Sequence, residues 1–501
     1  MPTLSLIAAT CRTASVSYDA ENNLFALAQA AAWDLLGIGG DVVASGNTRQ
    51  VTWTLCGLRP DTTYRLLVEH ETLEFTTKSE TTLLDIRDFG ATPDATDNSA
   101  AIQSAIEAAP AGATLRLPAG TWFSGPIFLK NHLTFLLDEG AVLADIGTRD
   151  NRPILDARHE DGRVLGTWEG VAEPCFASLV NAIDCEDVTL TGTGVVDGGG
   201  DRGDWWSWPK ETRQGARRPR TLFFSGCRDL TLTGVTVRNS PSWTVHPVLC
   251  SRVLAADLQI LNHPDSPNTD GFNPEASSDI HLVGLDISVG DDCIAIKAGK
   301  RDPRGGPDRP TEKVQISNCR MQRGHGAVVM GSEMSRGISD VIVRNSHFIG
   351  TDRGLRIKTR RGRGGFVKRI RLEACQMDDV ATPIAVNAFY FCDSDGRSDY
   401  VQSRSVLAIS AETPSISDIS IRNLSITGAK TAAAVFFGLP EAMIEEVEID
   451  GLTIRYDPDA EPDIPEMACH LPTLRHAGII AENTRFRTLR RLTPASIHPD
   501  F

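Results

Sequence analysis

The sequence has no long apolar run and few aromatic residues. Aromatic side chains make up 6% of its 501 residues. The longest apolar stretches, such as 432–439, fall well short of the roughly 18 residues that span a bilayer, so no membrane-spanning helix and no membrane partner is expected. The remaining composition, 41% hydrophobic with 43 Gly and 27 Pro, excludes disordered and fibrous classes and predicts at least one large core.

Positive charge is also in deficit. The chain has 50 Lys and Arg against 65 Asp and Glu, which gives a net charge of −15. Most of the surface would repel a polyanion, so no nucleic-acid partner is expected. A run with nine Lys and Arg within 353–371 leaves a local RNA-binding patch as a weak alternative, since only Phe366 there offers a ring for stacking.

Cysteine spacing and the N-terminus bear on cofactors and location. The 11 cysteines, from Cys11 to Cys469, form no CxxC pair and no close His/Cys cluster. Structural zinc is therefore not expected, and the odd number favours reduced thiols. The N-terminal segment does not resemble a secretory signal, because no basic residue precedes its mild apolar run. We expect a cytoplasmic location, or a periplasmic or secreted one if a signal was removed.

Residues 1–84 are predicted to form a small β-sandwich. Short alternating segments at 13–18, 49–55, 63–69 and 72–77 are separated by polar turns. The run from Leu58 to Tyr64 resembles the tyrosine corner of fibronectin type III domains, in which the Tyr hydroxyl ties a strand to the preceding turn. We therefore expect a fibronectin type III-like domain, more suited to packing or spacing than to catalysis.

From about residue 85 the pattern changes to a repeat. One amphipathic helix is predicted around Ala101–Ile106, capped by Asp97 or Asn98. Short β-rich units follow, mostly about 24–28 residues apart, as from Val253 to Asp279. No helix lies between the units, so stacking must bury their apolar faces. The predicted fold is all-β: a right-handed parallel β-helix over 85–456, with a tail at 457–501 packed on the helix.

The repeat brings polar residues onto one face. Consecutive coils stack about 4.8 Å apart, so residues one repeat apart converge. Residues that fall on successive coils in this way are Asp270, the pair Asp291 and Asp292, His325, and the pair Arg356 and Lys358. Because side chains alternate along a strand, Arg356 and Lys358 point outward together while Ile357 points into the core.

Such a set suits hydrolysis of a glycosidic bond in an anionic sugar polymer. One protonated carboxyl group must protonate the leaving oxygen, and an ionised carboxylate must activate water. Crowded acids provide both states, because repulsion raises the pKa of one carboxyl group. Arg356 and Lys358 offer cations for a sugar carboxylate, and His325 can bond to the acid or to the substrate.

The segments 268–270, 290–292, 324–326 and 356–358 resemble, in order and spacing, the four signature segments of the polygalacturonases, glycoside hydrolase family 28. The resemblance implies an inverting hydrolase that cleaves α-1,4 bonds between galacturonic acids, with no metal or cofactor. It implies Asp291 as general acid, Asp270 and Asp292 as the groups that activate water, and His325 as support for the acid. Arg356 and Lys358 would hold the galacturonate on the leaving side, and Asn268 would orient the same group of side chains.

Further residues are candidates for substrate contact. Tyr390, one coil after Lys358, is placed where family members often present a Tyr; an exposed strand aromatic is an equal alternative. Trp243 and His246 precede Asp270 by one coil and are candidates for the non-reducing side, and Lys297 for a second carboxylate contact. The aromatic cluster at 204–208 suits core packing or sugar stacking.

The chain most resembles bacterial members with a fibronectin-like domain, which are often exo-acting, and insertions at 201–220 and 299–310 are placed to close the groove. The expected substrate is therefore polygalacturonate or its oligomers. A pectate lyase, a rhamnogalacturonan hydrolase and a non-catalytic carbohydrate-binding β-helix remain alternatives, and the oligomeric state stays open. One difficulty is that adjacent Asp291 and Asp292 reach the same cleft only if the chain bends there, which Gly290 permits.

Overall fold

The first domain consists of two antiparallel sheets with a shared core. The structure, a computed structural model, describes residues 3–19 and 23–493. A three-stranded and a four-stranded sheet pack through Trp53, Tyr64 and Phe75. In spatial order their strands are Thr3–Ala9, Ala14–Asp19 and Thr52–Leu55, then Val42–Gln50, Ala26–Gly37, Thr63–Val68 and Glu71–Thr76. The hydroxyl of Tyr64 accepts a hydrogen bond from the Arg59 N–H at 2.9 Å, so the ring is anchored to the turn before its strand.

A short helical segment connects this domain to the repeats. After strand Leu83–Asp85 and the 3₁₀ helix Ile86–Phe89, an α-helix runs over Ser99–Ala108. Asp97 accepts a hydrogen bond from the Ser99 N–H at 2.8 Å, which satisfies one free donor of the first turn. The buried face of the helix, Ile102, Ala105 and Ile106, covers the apolar end of the β-helix core. The predicted helix is confirmed.

The rest of the chain winds into the predicted right-handed parallel β-helix, whose coils each contribute strands to three stacks. The first stack contains Ala113–Leu117, Leu133–Leu137, Glu186–Gly192, Arg228–Thr233, Ser251–Ala256, Ser278–Val283, Thr311–Ser317, Ile338–Arg344, Phe366–Glu373, and the first parts of Ser415–Ala429 and Ile444–Tyr456. The second contains Gly120–Ser124, Ala141–Asp145, Val195–Asp197, Thr236–Arg238, Gln259–Leu261, Asp286–Ser288, Arg320–Gln322, His347–Ile349, Gln376–Asp378, and the second parts of Ser415–Ala429 and Ile444–Tyr456.

The third stack carries the polar ladder. Its strands are Ile127–Phe128, Val180–Ile183, Leu222–Ser225, Val245–Val248, Asp292–Ile296, Gly326–Gly331, Arg353–Lys358, Thr382–Asn387, Ala434–Phe437 and Ile479–Glu482. Isolated bridges at Phe272 and Glu275 join the first four of these strands to the last six. In register, Ile294 pairs with Val328 and Val328 with Leu355, and all three are buried in the core. Alternate residues on the same strands therefore face outward as aligned rows.

Loops between the coils cover the outward face of the third stack. They contain the strand pairs Ile154–Leu155 with Cys175–Phe176 and Thr167–Trp168 with Val171–Ala172, the 3₁₀ helix Trp205–Ser207 and the helix Asp399–Gln402. In the 204–208 cluster, Trp205 and Trp208 are fully buried against Phe176, so core packing is their role. Trp206 is half-buried, and its ring lies 6.3 Å from that of His263 at a tilt of 39°. A cavity of about 840 Å³ lies between these loops.

The C-terminal part differs from the predicted tail on the outside of the helix. Strand Ile479–Glu482 pairs with Ala434–Phe437, and Thr484–Leu492 pairs with Ile444–Tyr456. These residues form a further coil, because Ile479 is buried in the core and Phe486 packs against it. Residues 457–477 instead form a loop beside the third stack, and the rest of the predicted tail, 494–501, lies outside the described residues.

The cysteines and the helices bear on disulfide bonding and on membrane insertion. In the described ranges all 11 cysteines are free thiols, and most are buried. No helix within residues 3–19 and 23–493 is long and apolar enough to cross a membrane.

Candidate active site

Three aspartates meet at the middle of the third stack. Asp270, Asp291 and Asp292 each place one carboxylate oxygen within 4.8 Å of the other two. Asp292 begins a strand and is fully buried, whereas Asp291 lies just before the strand and is half-buried. The backbone bends at Gly290 and Asp291, and the Asp292 N–H donates to the Asp291 carboxylate at 2.9 Å. This turn resolves the difficulty that adjacent residues on a regular strand point in opposite directions.

The electrostatic surroundings separate the three carboxyl groups. Burial raises the pKa of Asp291, and the charge of Asp292 raises it further. Burial likewise raises the pKa of Asp270, with a second contribution from Asp291. Burial opposes the charge of Asp292 too, but Lys358 and Arg356 outweigh it and lower the pKa of that carboxyl. The site therefore holds one ionised carboxylate beside two carboxyl groups that keep a proton to higher pH.

Lys358 and Arg356 lie on the same side of their strand, with Ile357 in the core between them. Lys358 Nζ donates to Asp292 Oδ2 at 2.6 Å, and Arg356 Nη1 lies 3.8 Å from Asp292 Oδ1. The ring centroid of Tyr390 is 5.4 Å from the Lys358 nitrogen and 5.4 Å from the Arg356 guanidinium carbon. Lys358 thus binds Asp292 directly, Arg356 lies close to the same carboxylate, and Tyr390 covers both cations.

Lys297 occupies the opposite side of the aspartates. Its Nζ lies 3.0 Å from Glu333 Oε2 and 3.8 Å from Asp270 Oδ2, beneath the ring of Trp243 at 5.1 Å. Asn273 Nδ2 donates to Asp270 Oδ2 at 2.8 Å. Asp270 therefore has one neutral hydrogen-bond donor, Asn273, and one cation, Lys297, which it shares with Glu333. Its carboxylate is less stabilised as an anion than that of Asp292.

His325 lies at the open edge of the cleft. Its side chain is 57% exposed, and Nδ1 is 2.8 Å from Asp352 Oδ2. The hydrogen bond to Asp352 raises the pKa of His325; burial opposes this, while Asp291 and Asp292 add to it. Asp352 falls one coil after His325, so it could have been found from the repeat spacing.

Three predicted substrate contacts are placed differently from expectation. His246 is fully buried, with Nε2 3.0 Å from Glu275 Oε2 and its ring against Trp243. Burial lowers the pKa of His246 to about 4, so it belongs to a packed network rather than to the cleft wall. Trp243 is also almost completely buried. Asn268 accepts a hydrogen bond from Arg218 at 2.7 Å, and so orients a loop rather than the aspartates.

Several known proteins share extended similarity with this chain. The sequence profile of the glycosyl hydrolases family 28 matches residues 167–469. The chain belongs to glycosyl hydrolases family 28. A probable polygalacturonase of Vitis vinifera is 32% identical over 320 residues, 62% of this chain and 64% of that protein. The chain therefore spans just under two thirds of that relative's length.

Two further similar proteins match a larger share of the chain. An exo-poly-alpha-D-galacturonosidase of Dickeya chrysanthemi is 25% identical over 440 residues, 76% of this chain and 70% of that protein. The solved structure of a Yersinia enterocolitica family 28 exopolygalacturonase superposes with a TM-score of 0.65 at 18% identity, covering 99% of both chains. At that identity the likeness establishes the fold.

The aspartate trio of this family 28 chain is also its one potential cation site in the described ranges. Carboxylate oxygens are suitable ligands for Ca²⁺ or Mg²⁺. However, Lys358 already binds Asp292 at 2.6 Å and Lys297 lies 3.8 Å from Asp270. These ammonium groups provide the positive charge that a metal ion would otherwise supply, so the donor set fits a metal poorly.

Several functional neighbours were not recognised in the sequence. Four such residues contact the site: Asn273 binds Asp270, Glu333 binds Lys297, Asp352 binds His325, and Glu466 binds Arg356. Asn273 follows Asp270 on the same strand path and carries a positional signal. Glu466 lies in an irregular loop and is 110 residues from Arg356, so no local pattern points to it.

We expect Gly290→Ala to damage the turn before Asp291. A methyl group there would lie 2.5 Å from the Ser266 carbonyl oxygen and 2.8 Å from that of His263. Backbone atoms cannot move aside easily, so the variant should lose about 1–3 kcal/mol of unfolding free energy and most of its activity. Thermal melts and initial rates test this. Gly125→Ala, whose methyl would meet ordinary contacts at 3.7 Å, is the matched control and should change neither.

Asp352→Asn should lower the pKa of His325, because the variant removes the anionic hydrogen-bond partner that raises it. The basic limb of the pH–rate profile should move to lower pH if protonated His325 is required. Histidine NMR titration measures the pKa directly. The control is Asp378→Asn, which removes the analogous 2.7 Å contact to His347 in the second stack and should leave the pKa of His325 unchanged. An unaltered His325 pKa in Asp352→Asn would contradict the conclusion that Asp352 raises it.

Proposed function

We propose that this protein hydrolyses α-1,4 galacturonosidic bonds in polygalacturonate or oligogalacturonides. The observation that carries the proposal is the half-buried Asp291, with a raised pKa, beside the ionised Asp292. A general acid and a general base are thereby present in one cleft. The similarity to a probable polygalacturonase of Vitis vinifera and to an exo-poly-alpha-D-galacturonosidase of Dickeya chrysanthemi supports the same substrate.

In this mechanism Asp291 protonates the glycosidic oxygen as the bond breaks. Asp292 accepts a proton from the water that attacks the anomeric carbon, and Asp270 helps to position that water. His325 stabilises the ionised Asp291 after proton transfer. Inversion is proposed on the family resemblance alone. The nearest oxygens of the three aspartates lie within 4.8 Å of one another, which is closer than the roughly 6.5–9.5 Å usual between the carboxyl groups of inverting enzymes. The distance between the carboxyl groups therefore does not itself favour inversion. Proton NMR of the newly formed anomer tests it.

The exo-acting mode is proposed from the wall that the two insertions build. Glu173 binds Arg217 of the first insertion and Arg304 of the second. Between them lies a cavity of about 840 Å³ whose lining includes Trp168, Lys210 and Lys300. Burial opposes the charge of Lys210, but nearby carboxylates, Asp291 among them, raise its pKa. The lining has seven Lys and Arg against six Asp and Glu, and this small excess of positive charge supports the proposal that the cavity holds the end of an anionic chain.

The discriminating experiment is a time course on polygalacturonate and trigalacturonate with chelator present. We expect saturated mono- or digalacturonate, a slow fall in viscosity, and no absorbance from an unsaturated product. A pectate lyase would give the unsaturated product and stop with chelator; a binding protein would release nothing. Cleavage of rhamnose-containing polymer alone would favour a rhamnogalacturonan hydrolase.

Glu173→Ala should loosen the wall and change the product pattern. Without the carboxylate that joins the two insertions, longer chains gain access, and the share of products longer than the dimer should rise several-fold. Product chromatography measures this share. Glu186→Ala, which removes an exposed pair with Arg228, is the control. A rapid viscosity fall with the wild type would contradict exo action.

For the N-terminal domain we propose a fibronectin type III-like sandwich over 1–84, on the strength of its three-plus-four strand arrangement and the Tyr64 contact. It packs on the first stack, with Cys11 Sγ 3.0 Å from Thr114 Oγ1 and Thr13 Oγ1 2.7 Å from Thr191 Oγ1. A spacing or packing role fits these contacts. The cytoplasmic location stays a prediction, tested by fractionation.

A further inference from the structure

The guanidinium of Arg356 is already bound to a carboxylate of the chain itself. Arg356 Nε donates to Glu466 Oε2 at 2.9 Å, and Nη2 donates to Oε1 at 2.6 Å. This is the bidentate geometry that an Arg uses to recognise a carboxylate ligand. The Glu466 side chain is 0% exposed and that of Arg356 is 5% exposed. The edge of Arg356 expected to bind a substrate carboxylate is therefore occupied.

Arg356 has two further neighbours in the site, Asp292 and Tyr390. Its Nη1 lies 3.8 Å from Asp292 Oδ1, which has no hydrogen-bond partner among the described side chains. The ring of Tyr390 covers one face of the guanidinium, 5.4 Å from its central carbon. Nη1, the nitrogen of Arg356 that Glu466 does not bind, thus faces the carboxylate of Asp292.

Charge is balanced on the leaving side before any substrate binds. Arg356 and Lys358 contribute two positive charges, and Asp292 and Glu466 contribute two negative ones. Nearby Arg353 and Asp352 add one of each sign, and Arg353 donates to the backbone carbonyls of Asp352 and Ile464. Without Glu466 the group would carry one positive charge in excess, complementary to an incoming carboxylate. With Glu466, a second carboxylate there would meet repulsion.

Glu466 is held in place by contacts that do not involve the cleft. Its Oε1 accepts the Met467 N–H at 2.6 Å. The carbonyl of Pro465 accepts from the Thr382 hydroxyl at 3.1 Å, and that of Met467 from Asn387 Nδ2 at 3.1 Å. The loop is therefore fixed on both sides of Glu466 to the next strand of the third stack, and the carboxylate stays on Arg356 when substrate enters.

We propose that Glu466 supplies from within the chain the carboxylate that Arg356 would otherwise take from the substrate, so that the leaving-side subsite accepts a sugar without a free carboxylate, such as a methyl-esterified galacturonate. This specificity rests on the proposed hydrolysis. It makes Glu466 a specificity-determining residue that acts through Arg356. Selectivity at this subsite then depends on one loop carboxylate rather than on the catalytic aspartates.

The test uses the shortest oligogalacturonide that the wild-type protein cleaves. Its products show which sugar lies on the leaving side, and the same oligomer is then prepared with one methyl ester on that sugar. For the wild type we expect kcat/KM for the two forms to agree within about threefold. For Glu466→Gln, which leaves Arg356 uncompensated, we expect the ratio of free acid to ester to rise at least about tenfold, mainly through KM.

Glu441→Gln is the matched control. Glu441 forms a comparable buried bidentate pair with Arg361, at 2.6 and 2.9 Å, whose other partners are carbonyls of residues 400–405. This variant should leave the ratio unchanged. A wild-type preference for the free acid above about 100-fold would overturn the proposal even if Glu466→Gln did not fold. Cleavage of neither form by the wild type would instead refute the proposed hydrolysis.

Discussion

Asp291→Asn is expected to reduce kcat by at least about 10³-fold while the protein stays folded, since general acid catalysis contributes roughly 10²–10⁴-fold. The amide has the same shape but cannot deliver a proton to the leaving oxygen. It can still accept the Asp292 N–H that ends at Asp291 Oδ1, so the turn should persist. Reducing-end assays on trigalacturonate measure the loss, and thermal melts report on folding.

The control for Asp291→Asn is Asp279→Asn, an exposed carboxylate on the first stack that pairs with Lys313. It should leave kcat within about twofold of the wild type, as surface substitutions usually do. A substrate with a leaving group of low pKa should recover much of the lost rate in Asp291→Asn, because such a group departs without protonation. Failure of that rescue would assign Asp291 a role other than general acid.

The second large effect is expected from Lys358→Met. Burial opposes the charge of Asp292, and Lys358 is the largest of the groups that overcome it and lower the Asp292 pKa. Loss of Lys358 should raise that pKa, so Asp292 becomes protonated at acidic pH values where the wild type is ionised. The acidic limb of the kcat/KM profile should therefore move to higher pH, with a loss of at least about 100-fold at pH 5.

That loss should shrink as pH rises, because Asp292 ionises again above its raised pKa. A pH-independent loss would instead indicate that Lys358 acts mainly on the substrate. Lys313→Met is the control, since Lys313 is an exposed cation paired with Asp279 on the first stack. It should leave both the rate and the profile unchanged.

The sequence was sufficient for the fold and for the polar ladder, because both follow from periodicity. Alternating apolar residues at a constant coil spacing predict stacked strands, and the same spacing places Asp270, Asp291, His325 and Arg356 on successive coils. The site therefore follows from short-range order repeated along the chain. This is also why Asp352, one coil after His325, lay within reach of the same reasoning.

Contacts made by loops could not be predicted in this way. The pairing of Glu466 with Arg356 joins residues 110 positions apart, and the loop that carries Glu466 has no periodic signal. Burial of His246 likewise depends on Glu275 and on loops that cover the third stack. For this reason the basic run at 353–371 could not be assigned from sequence. In the fold the side chains of Arg360, Arg361 and Arg363 are buried and pair with Asp395, Glu441 and Asp393, respectively.

The last described coil also bears on self-association. Parallel strands at the end of a solenoid present unpaired N–H and C=O groups, which can template the addition of another chain. On strand Thr484–Leu492, Arg490 and Arg491 bind Asp450 and remain largely exposed, at 64% and 60%. A second molecule stacking on this edge would have to place its own backbone against these charges. We therefore expect the arginines to disfavour the addition of another chain at this edge, and removal of this coil should make the protein more prone to aggregate.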